Sequence, residues 1–237
     1  MSFPRTRLHY GWIVLAVGTL VVFGSLGLAR FGYTMVLPPM QEGLNLDNTQ
    51  TGSLATANLI GYLALALIGG AAASRYGPRV VITAGLALAG AAMLLTGLAS
   101  GFHDAAAWRA LTGIGSGASN VPVMGLLAAW FATRRRGLAS GIAVAGSSLA
   151  LILAGAFVPR ILDVYGDDGW RACWFIFGGV TILLAIAGFF ILRNRPSELG
   201  LKPLGGDNEE PVPVSGGETL QWGRVYRSAA VWHLGLV

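Results

Sequence analysis

Two arginines stand inside long apolar stretches of this sequence, Arg30 in the run 12–36 and Arg109 in the run 106–131. A charged side chain at the centre of a bilayer costs about 2.5–3.5 kcal/mol on insertion scales, so an ionisable residue at that depth marks a solute pathway by default. All 11 carboxylates fall outside these and the other apolar runs, so neither guanidinium has an acidic partner along them. Snorkelling competes with a functional role. Arg30 lies about 10 Å of helix rise from the end of its run, and Arg109 sits nearer the end of its own.

Other polar groups align with the two arginines. Ser116 and Asn120 follow Arg109 by seven and eleven residues, which stacks all three on one helical stripe. Thr51, Asn58 and Tyr62 share a face by the same spacing, and Tyr33 follows Arg30 by three. Interhelical hydrogen bonding, worth about 0.6 kcal/mol on average in membranes, accounts for each of these as well as cavity lining does. If they line a cavity, the candidate substrate-binding residues are Arg30, Tyr33, Asn58, Tyr62, Arg109, Ser116 and Asn120. A cation-lined cavity selects an anion, and the planar guanidinium fork suits carboxylate or phosphate because it binds two oxygens at once. A proton relay through Asp or Glu cannot be built within these runs.

Little else offers chemistry. The single cysteine, Cys173, and three scattered histidines (His9, His103, His233) give no nucleophile–base constellation and no metal cluster, so no enzyme activity, cofactor or metal is expected. Asp163, Asp167 and Asp168 read as a solvated acidic loop rather than a Ca²⁺ site.

These residues must be positioned by elements that cross a membrane. The 237 residues are 54% hydrophobic and only 11% charged, with mean hydropathy +0.63, whereas a soluble domain carries about 25% charged residues. An ordinary soluble enzyme is excluded. Six apolar runs, near 12–36, 51–73, 80–100, 106–131, 138–159 and 170–192, each approach the roughly 20 residues that span a bilayer. The expected fold is an all-α integral membrane protein, a six-helix transmembrane bundle over 12–195. The 35 glycines, among them Gly113-x-Gly115-x-Gly117 and Gly137-x-x-x-Gly141, allow the close backbone approach that helices need where lipid gives no hydrophobic drive.

Loop charge orients the bundle. Arg5 and Arg7, Arg75 and Arg79, Arg134–Arg136, and Arg193, Arg195 and Lys202 fall on one side, while the loops around Glu42/Asp47 and His103/Asp104 hold no Lys or Arg. Both ends, including residues 1–11, are expected in the cytoplasm, in agreement with an even helix count. The net charge of +5 is explained by this topology, and no nucleic-acid partner is expected. The Pro-, Gly- and acid-rich stretch 196–228 reads as a cytoplasmic linker, and the apolar 229–237 as the truncated start of a seventh span.

The loop after the second run, Gly70-Ala71-Ala72-Ala73-Ser74-Arg75-Tyr76-Gly77-Pro78-Arg79, resembles a signature of the major facilitator superfamily: Gly, three residues, Asp, Arg, any residue, Gly, then basic residues. Gly70, Arg75, Gly77 and Arg79 match it. Ser74 replaces the Asp and Pro78 a basic residue, which departs from the charge network that gates the family's inside-closed state. Trp108-Arg109-Ala110-Leu111-Thr112-Gly113 is similar to a second signature, Arg with Gly four residues on, and Gly141, Gly146, Gly155 and Pro159 resemble the family's Gly/Pro-rich helix. The resemblance implies the N-terminal six-helix half of a twelve-helix transporter, two inverted three-helix repeats whose first helices line the solute site. Those helices carry Arg30 and Arg109. Tyr10-Gly11-Trp12 and the stretch 195–203 resemble the branch of oxalate/formate and monocarboxylate carriers. The implied protein is a secondary transporter, or part of one, moving a small organic solute by alternating access, with an anion such as a carboxylate expected; the arginine-rich, lysine-poor usage with abundant Ala and Gly suits a bacterial inner membrane. Its cavity is completed by a missing C-terminal half or a second copy. The alternative is a non-transporting sensor or assembly subunit on the same half-fold.

Overall fold

The structure is a computed structural model of the chain and describes residues 9–206. The first rod runs from Tyr10 to Gly43 in three joined pieces: α1 (Tyr10–Val22), a π-helical segment (Phe23–Phe31) and α2 (Gly32–Gly43). Then follow α3 (Asn48–Tyr76), α4 (Pro78–Gly97), α5 (Phe102–Trp130), α6 (Thr133–Tyr165) and α7 (Gly169–Ile191). Short 3-10 turns occupy Gly166–Asp168 and Pro196–Leu199.

Local chemistry sets the ends of the rods. At the start of α3 the Asp47 carboxylate accepts from the Gln50 amide at 2.7 Å, and the Gln50 side chain accepts from the Asp47 amide at 3.0 Å, a reciprocal capping box. Gly77 separates α3 from α4 at φ +86, and a Cβ there would also press on Asn194, so the position requires glycine twice over. Pro78 then opens α4, where its missing N–H costs nothing.

Among the described residues, four stretches are long and apolar enough to cross a membrane: Tyr10–Gly43, Asn48–Tyr76, Pro78–Gly97, and Thr133–Ile191, which takes in both α6 and α7. The helix α5 is not one of them. Arg109, Thr112, Ser116, Ser119 and Asn120 lower its hydropathy, and all five are buried, because α5 is the interior helix. It packs on α3, α4, α1 and the π segment, while α4 also packs on α7, and α6 on α1 and the π segment. A helix shielded on most sides by other helices can carry polarity that lipid would not tolerate.

Glycines make the central seams. A Cβ at Gly113 or Gly117 would overlap the backbone carbonyls of Asn58 and Tyr62 on α3, and one at Gly115 would meet the backbone of α4 at Gly85 and Ala89. Gly146 of α6 comes as close to the Thr19 carbonyl of α1. The Gly137-x-x-x-Gly141 pair differs from the expectation drawn from it. Both residues are exposed, and a Cβ on either would meet nothing, so this pair forms no seam among the described residues.

Two apolar cores lie toward opposite ends of the bundle. One holds Met40, Met93, Trp170 and Trp174, the other Val14, Ile82, Leu86 and Trp130. Beyond α7 the chain does not enter an irregular linker at once, as the composition suggested. The Leu204 amide donates to the Trp130 carbonyl at 2.9 Å and the Ala132 amide to the Leu204 carbonyl at 3.2 Å, which ties residues up to 206 to the α5–α6 turn. The remainder of the expected linker and the 229–237 stretch lie outside the described residues, as do residues 1–8.

Candidate functional site

The two arginines have separate environments. Arg109 is 1% exposed and does not snorkel. Its Nη1 donates to the Ala29 carbonyl at 2.8 Å, in the π segment. The guanidinium carbon lies 4.6 Å from the Tyr33 ring centre and 5.1 Å from that of Trp174. Its Nε has no partner among the described residues. Asn58 Nδ2 in turn donates to the Arg109 carbonyl at 3.1 Å, and the Tyr33 hydroxyl donates to the Thr51 carbonyl at 2.9 Å. One cation thereby joins the π segment, α2, α5 and α7, with α3 attached through Asn58 and Thr51. Desolvated cation–π contacts are worth about 2 kcal/mol or more, which offsets part of the burial of this charge.

Arg30 is half-buried at the end of the π segment. Its guanidinium carbon stands 5.3 Å from the Tyr62 ring centre and 5.9 Å from that of Phe31. No hydrogen bond or carboxylate holds it among the described residues. The Tyr62 hydroxyl accepts from Asn120 Nδ2 at 2.9 Å, and the buried Asn120 Oδ1 has no partner there. Arg30, Tyr62 and Asn120 therefore form one group, while Arg109, Tyr33 and Asn58 form another. The fully buried Ser116 belongs to neither group, because its hydroxyl donates to the Thr112 carbonyl at 2.8 Å within its own helix.

The spacing of three between Arg30 and Tyr33 suggested a shared face. The structure gives the two residues different partners, because the helix is π-wound up to Phe31 and α-wound from Gly32. The Gly32 amide donates to the Gly27 carbonyl, five residues back, in the wider turn. Neither the π segment nor the part played by Trp174 was read from the sequence. The three glycines Gly24, Gly27 and Gly32 are the one signal that could have drawn attention to the segment. A Cβ at Gly27 would overlap Ala150, and one at Gly32 would press on Phe177 at 2.9 Å.

The expected gating loop divides in a similar way. Exposed Ser74 turns back to the Ala71 carbonyl at 2.8 Å, and exposed Arg75 lies over the Tyr76 ring at 5.4 Å. Gly70 faces open space. Arg79 is anchored to α7: its amide donates to Asn194 Oδ1 at 2.9 Å, its Nε donates to the Phe189 carbonyl at 2.6 Å, and its guanidinium stacks 4.6 Å from the Phe189 ring. At the other side of the bundle Asp168 pairs with Arg171 at 3.4 Å. No group of three or more His, Cys, Asp or Glu side chains able to hold a metal occurs among the described residues.

Comparison with known proteins adds the following. The family model described as Major Facilitator Superfamily matches residues 16–237. The chain is 25% identical over 194 residues to a probable sulfoacetate transporter of Cupriavidus necator, covering 82% of this chain and 44% of that protein. It is 28% identical to human monocarboxylate transporter 11, covering 77% of this chain and 38% of that protein. The chain thus spans less than half the length of these relatives. A bacterial homologue of the human lysosomal transporter Spinster, solved in an inward-facing, unoccupied conformation, matches with a TM-score of 0.69 and 21% identity, over 100% of this chain and 52% of that one. The matched relatives are transporters, not enzymes.

Proposed function

This chain belongs to the major facilitator superfamily, a family of membrane transporters, and from that premise we propose that it forms one six-helix half of a secondary transporter for a small organic anion. All six rods cross the bilayer in this reading, α5 included, with both ends in the cytoplasm of a bacterial cell and the bundle in its inner membrane. The pairing of His9 Nε2 with the Lys202 carbonyl at 3.1 Å, and of the Tyr10 hydroxyl with the Ile191 carbonyl, supports an even number of crossings, because it sets the first helix's start beside the last helix's end. A second bundle, from a continuing chain or a second copy, faces this one and closes the cavity. Alternating access then rocks the two about the solute.

The observation that carries the anion reading is the state of Arg30. It is a half-buried guanidinium steadied over two aromatic rings, with its hydrogen-bonding edge committed to no group among the described residues. Such an edge is the bidentate partner of a carboxylate, sulfonate or phosphate. The solutes in the relatives' names, sulfoacetate and monocarboxylates, carry groups of this kind. In this reading Tyr62, beneath the guanidinium, and Asn120, bonded to the Tyr62 hydroxyl, flank the bound anion. Arg109, Tyr33 and Asn58 stand behind it and hold the helices in place, while Ser116 is tied to its own helix. Uptake of labelled mono- and dicarboxylates into proteoliposomes tests the proposal, with Arg30→Ala beside the unsubstituted protein. Uptake should fall while insertion and helicity persist. Equal uptake by the variant, or equal uptake of a neutral analogue, would remove the anion site.

A further inference from the structure

We propose that the groove between α4 and α7 is a seat for one anionic phospholipid, whose phosphate rests on Arg79. The groove has a volume of about 340 Å³ and is walled by Val80, Ala84, Ala87, Ile186, Phe189 and Phe190. Its one hydroxyl is internally committed, since Thr83 donates to the Arg79 and Val80 carbonyls of its own helix at 2.9 and 3.2 Å. A groove so apolar and open on its outer side faces hydrocarbon in a membrane-embedded bundle, and it suits an acyl chain laid along it. From Val80 to Ala87 the wall runs for about 10 Å of helix rise.

The mouth of the groove supplies the complementary charge. It lies where α4 begins and α7 ends, the level at which a bilayer changes from acyl chains to headgroups. Arg79 stands there and is not free to wander. Its Nε is bonded to the Phe189 carbonyl, and its guanidinium carbon lies 4.6 Å from the ring centre of Phe189, which also forms the groove wall. That anchoring leaves the two terminal nitrogens of the fork without a hydrogen-bond partner or carboxylate among the described residues. A fixed guanidinium presenting two N–H₂ groups matches a phosphate diester. Arg193, just past the end of α7, adds a second cation at this level, its Nη1 donating to the Phe190 and Leu192 carbonyls at 2.8 and 2.9 Å. A basic pocket between helices at the headgroup level is the arrangement that retains anionic lipid against neutral lipid. A second protein copy fits less well, because such a partner would bring an acyl-like ridge and an acid together at one register.

The test is native mass spectrometry of the full protein released from nanodiscs of phosphatidylglycerol and phosphatidylcholine mixed equally. The unsubstituted protein should keep phosphatidylglycerol in preference, about one tightly held molecule per chain. Arg79→Gln should lower that preference at least tenfold. Ala87→Trp, which fills the groove and spares the arginine, should lose the adduct altogether, and it keeps the question answerable if Arg79→Gln does not fold. Circular dichroism of each variant verifies its helicity. Equal retention of the two lipids, or unchanged retention in Ala87→Trp, would overturn the seat. So would protection by inorganic phosphate alone, which assigns Arg79 to a free anion, or a lipid-free dimer, which assigns the groove to a second copy.

Discussion

Arg109 and Arg30 occupy equivalent settings in the sequence, one cation each in a long apolar run, yet they are built into opposite situations. Arg109 is enclosed by the protein: Nη1 is bonded to a carbonyl of the π segment and two aromatic rings flank the guanidinium, although its buried Nε has no partner among the described residues, and Asn58 grips its backbone carbonyl. Arg30 is braced from beneath by Tyr62 and Phe31 and left open along its edge. The contrast teaches that depth in a membrane run does not by itself tell a cation built into the framework from one left partly open. What separates the two here is enclosure: Arg109 is sealed among helices, whereas Arg30 stays partly exposed.

The largest effect is expected where the enclosed cation is removed. Arg109→Ala should lower stability by about 3 kcal/mol, the range for truncating a large, fully buried side chain, because a cavity opens where four helical segments meet. Thermal unfolding in detergent measures this, and uptake should fall with it. If Arg109→Ala unfolds like the unsubstituted protein but no longer transports, Arg109 belongs with Arg30 and the division fails. Next comes the seam that carries Arg109 to α3. Gly113→Ala should cost about 2 kcal/mol, since its Cβ would overlap the Asn58 carbonyl, and backbone cannot yield as a side chain can. Gly141→Ala, at an open position, should leave the isolated bundle unchanged.

Arg30→Ala should do the reverse of Arg109→Ala. Its surroundings do not depend on it for packing, so stability should stay within about 0.5 kcal/mol. Uptake should drop about 30-fold, roughly 2 kcal/mol, the worth of a charge-assisted hydrogen bond to solute. Uptake assays at saturating and limiting solute would show a loss in apparent affinity. A fall in unfolding temperature equal to that of Arg109→Ala would place both arginines in the framework.

The sequence was legible where physics acts locally or by composition. Apolar runs marked where long helices form, whereas the residues that end them, Asp47, Gly77 and Pro78, were not read as such from the sequence. The stripe Arg109, Ser116, Asn120 proved to lie on the interior helix, although polarity alone did not say whether it faced solute or neighbouring helices. Glycine motifs were less readable. Gly113 and Gly117 press against backbone, whereas Gly137 and Gly141 touch nothing. Nothing within either tetrad distinguishes them, because the difference lies in which partner helix tertiary packing brings alongside. The π segment was hidden for a related reason. A wider turn is stabilised by what enters it, here the Arg109 guanidinium at Ala29, and that residue lies 80 positions away.

Tyr62 offers the finest division between the two regions, since its ring serves Arg30 and its hydroxyl serves the interior. Tyr62→Phe keeps the ring beneath the guanidinium and deprives Asn120 Nδ2 of its acceptor, a loss of about 0.6 kcal/mol for an average interhelical hydrogen bond in a membrane. Uptake should therefore change by no more than about threefold. Tyr62→Leu removes the ring as well and with it the brace that holds the open edge in place, so its loss of uptake should exceed that of Tyr62→Phe by several-fold, in keeping with a cation–π contact of about 0.5–1 kcal/mol at a partly exposed site. Parallel uptake and unfolding measurements on the pair decide which end of the side chain matters. If the two variants are equally impaired in transport, the hydroxyl is the working group. Tyr62 would then act through Asn120 on the interior helix rather than by presenting Arg30 to the solute.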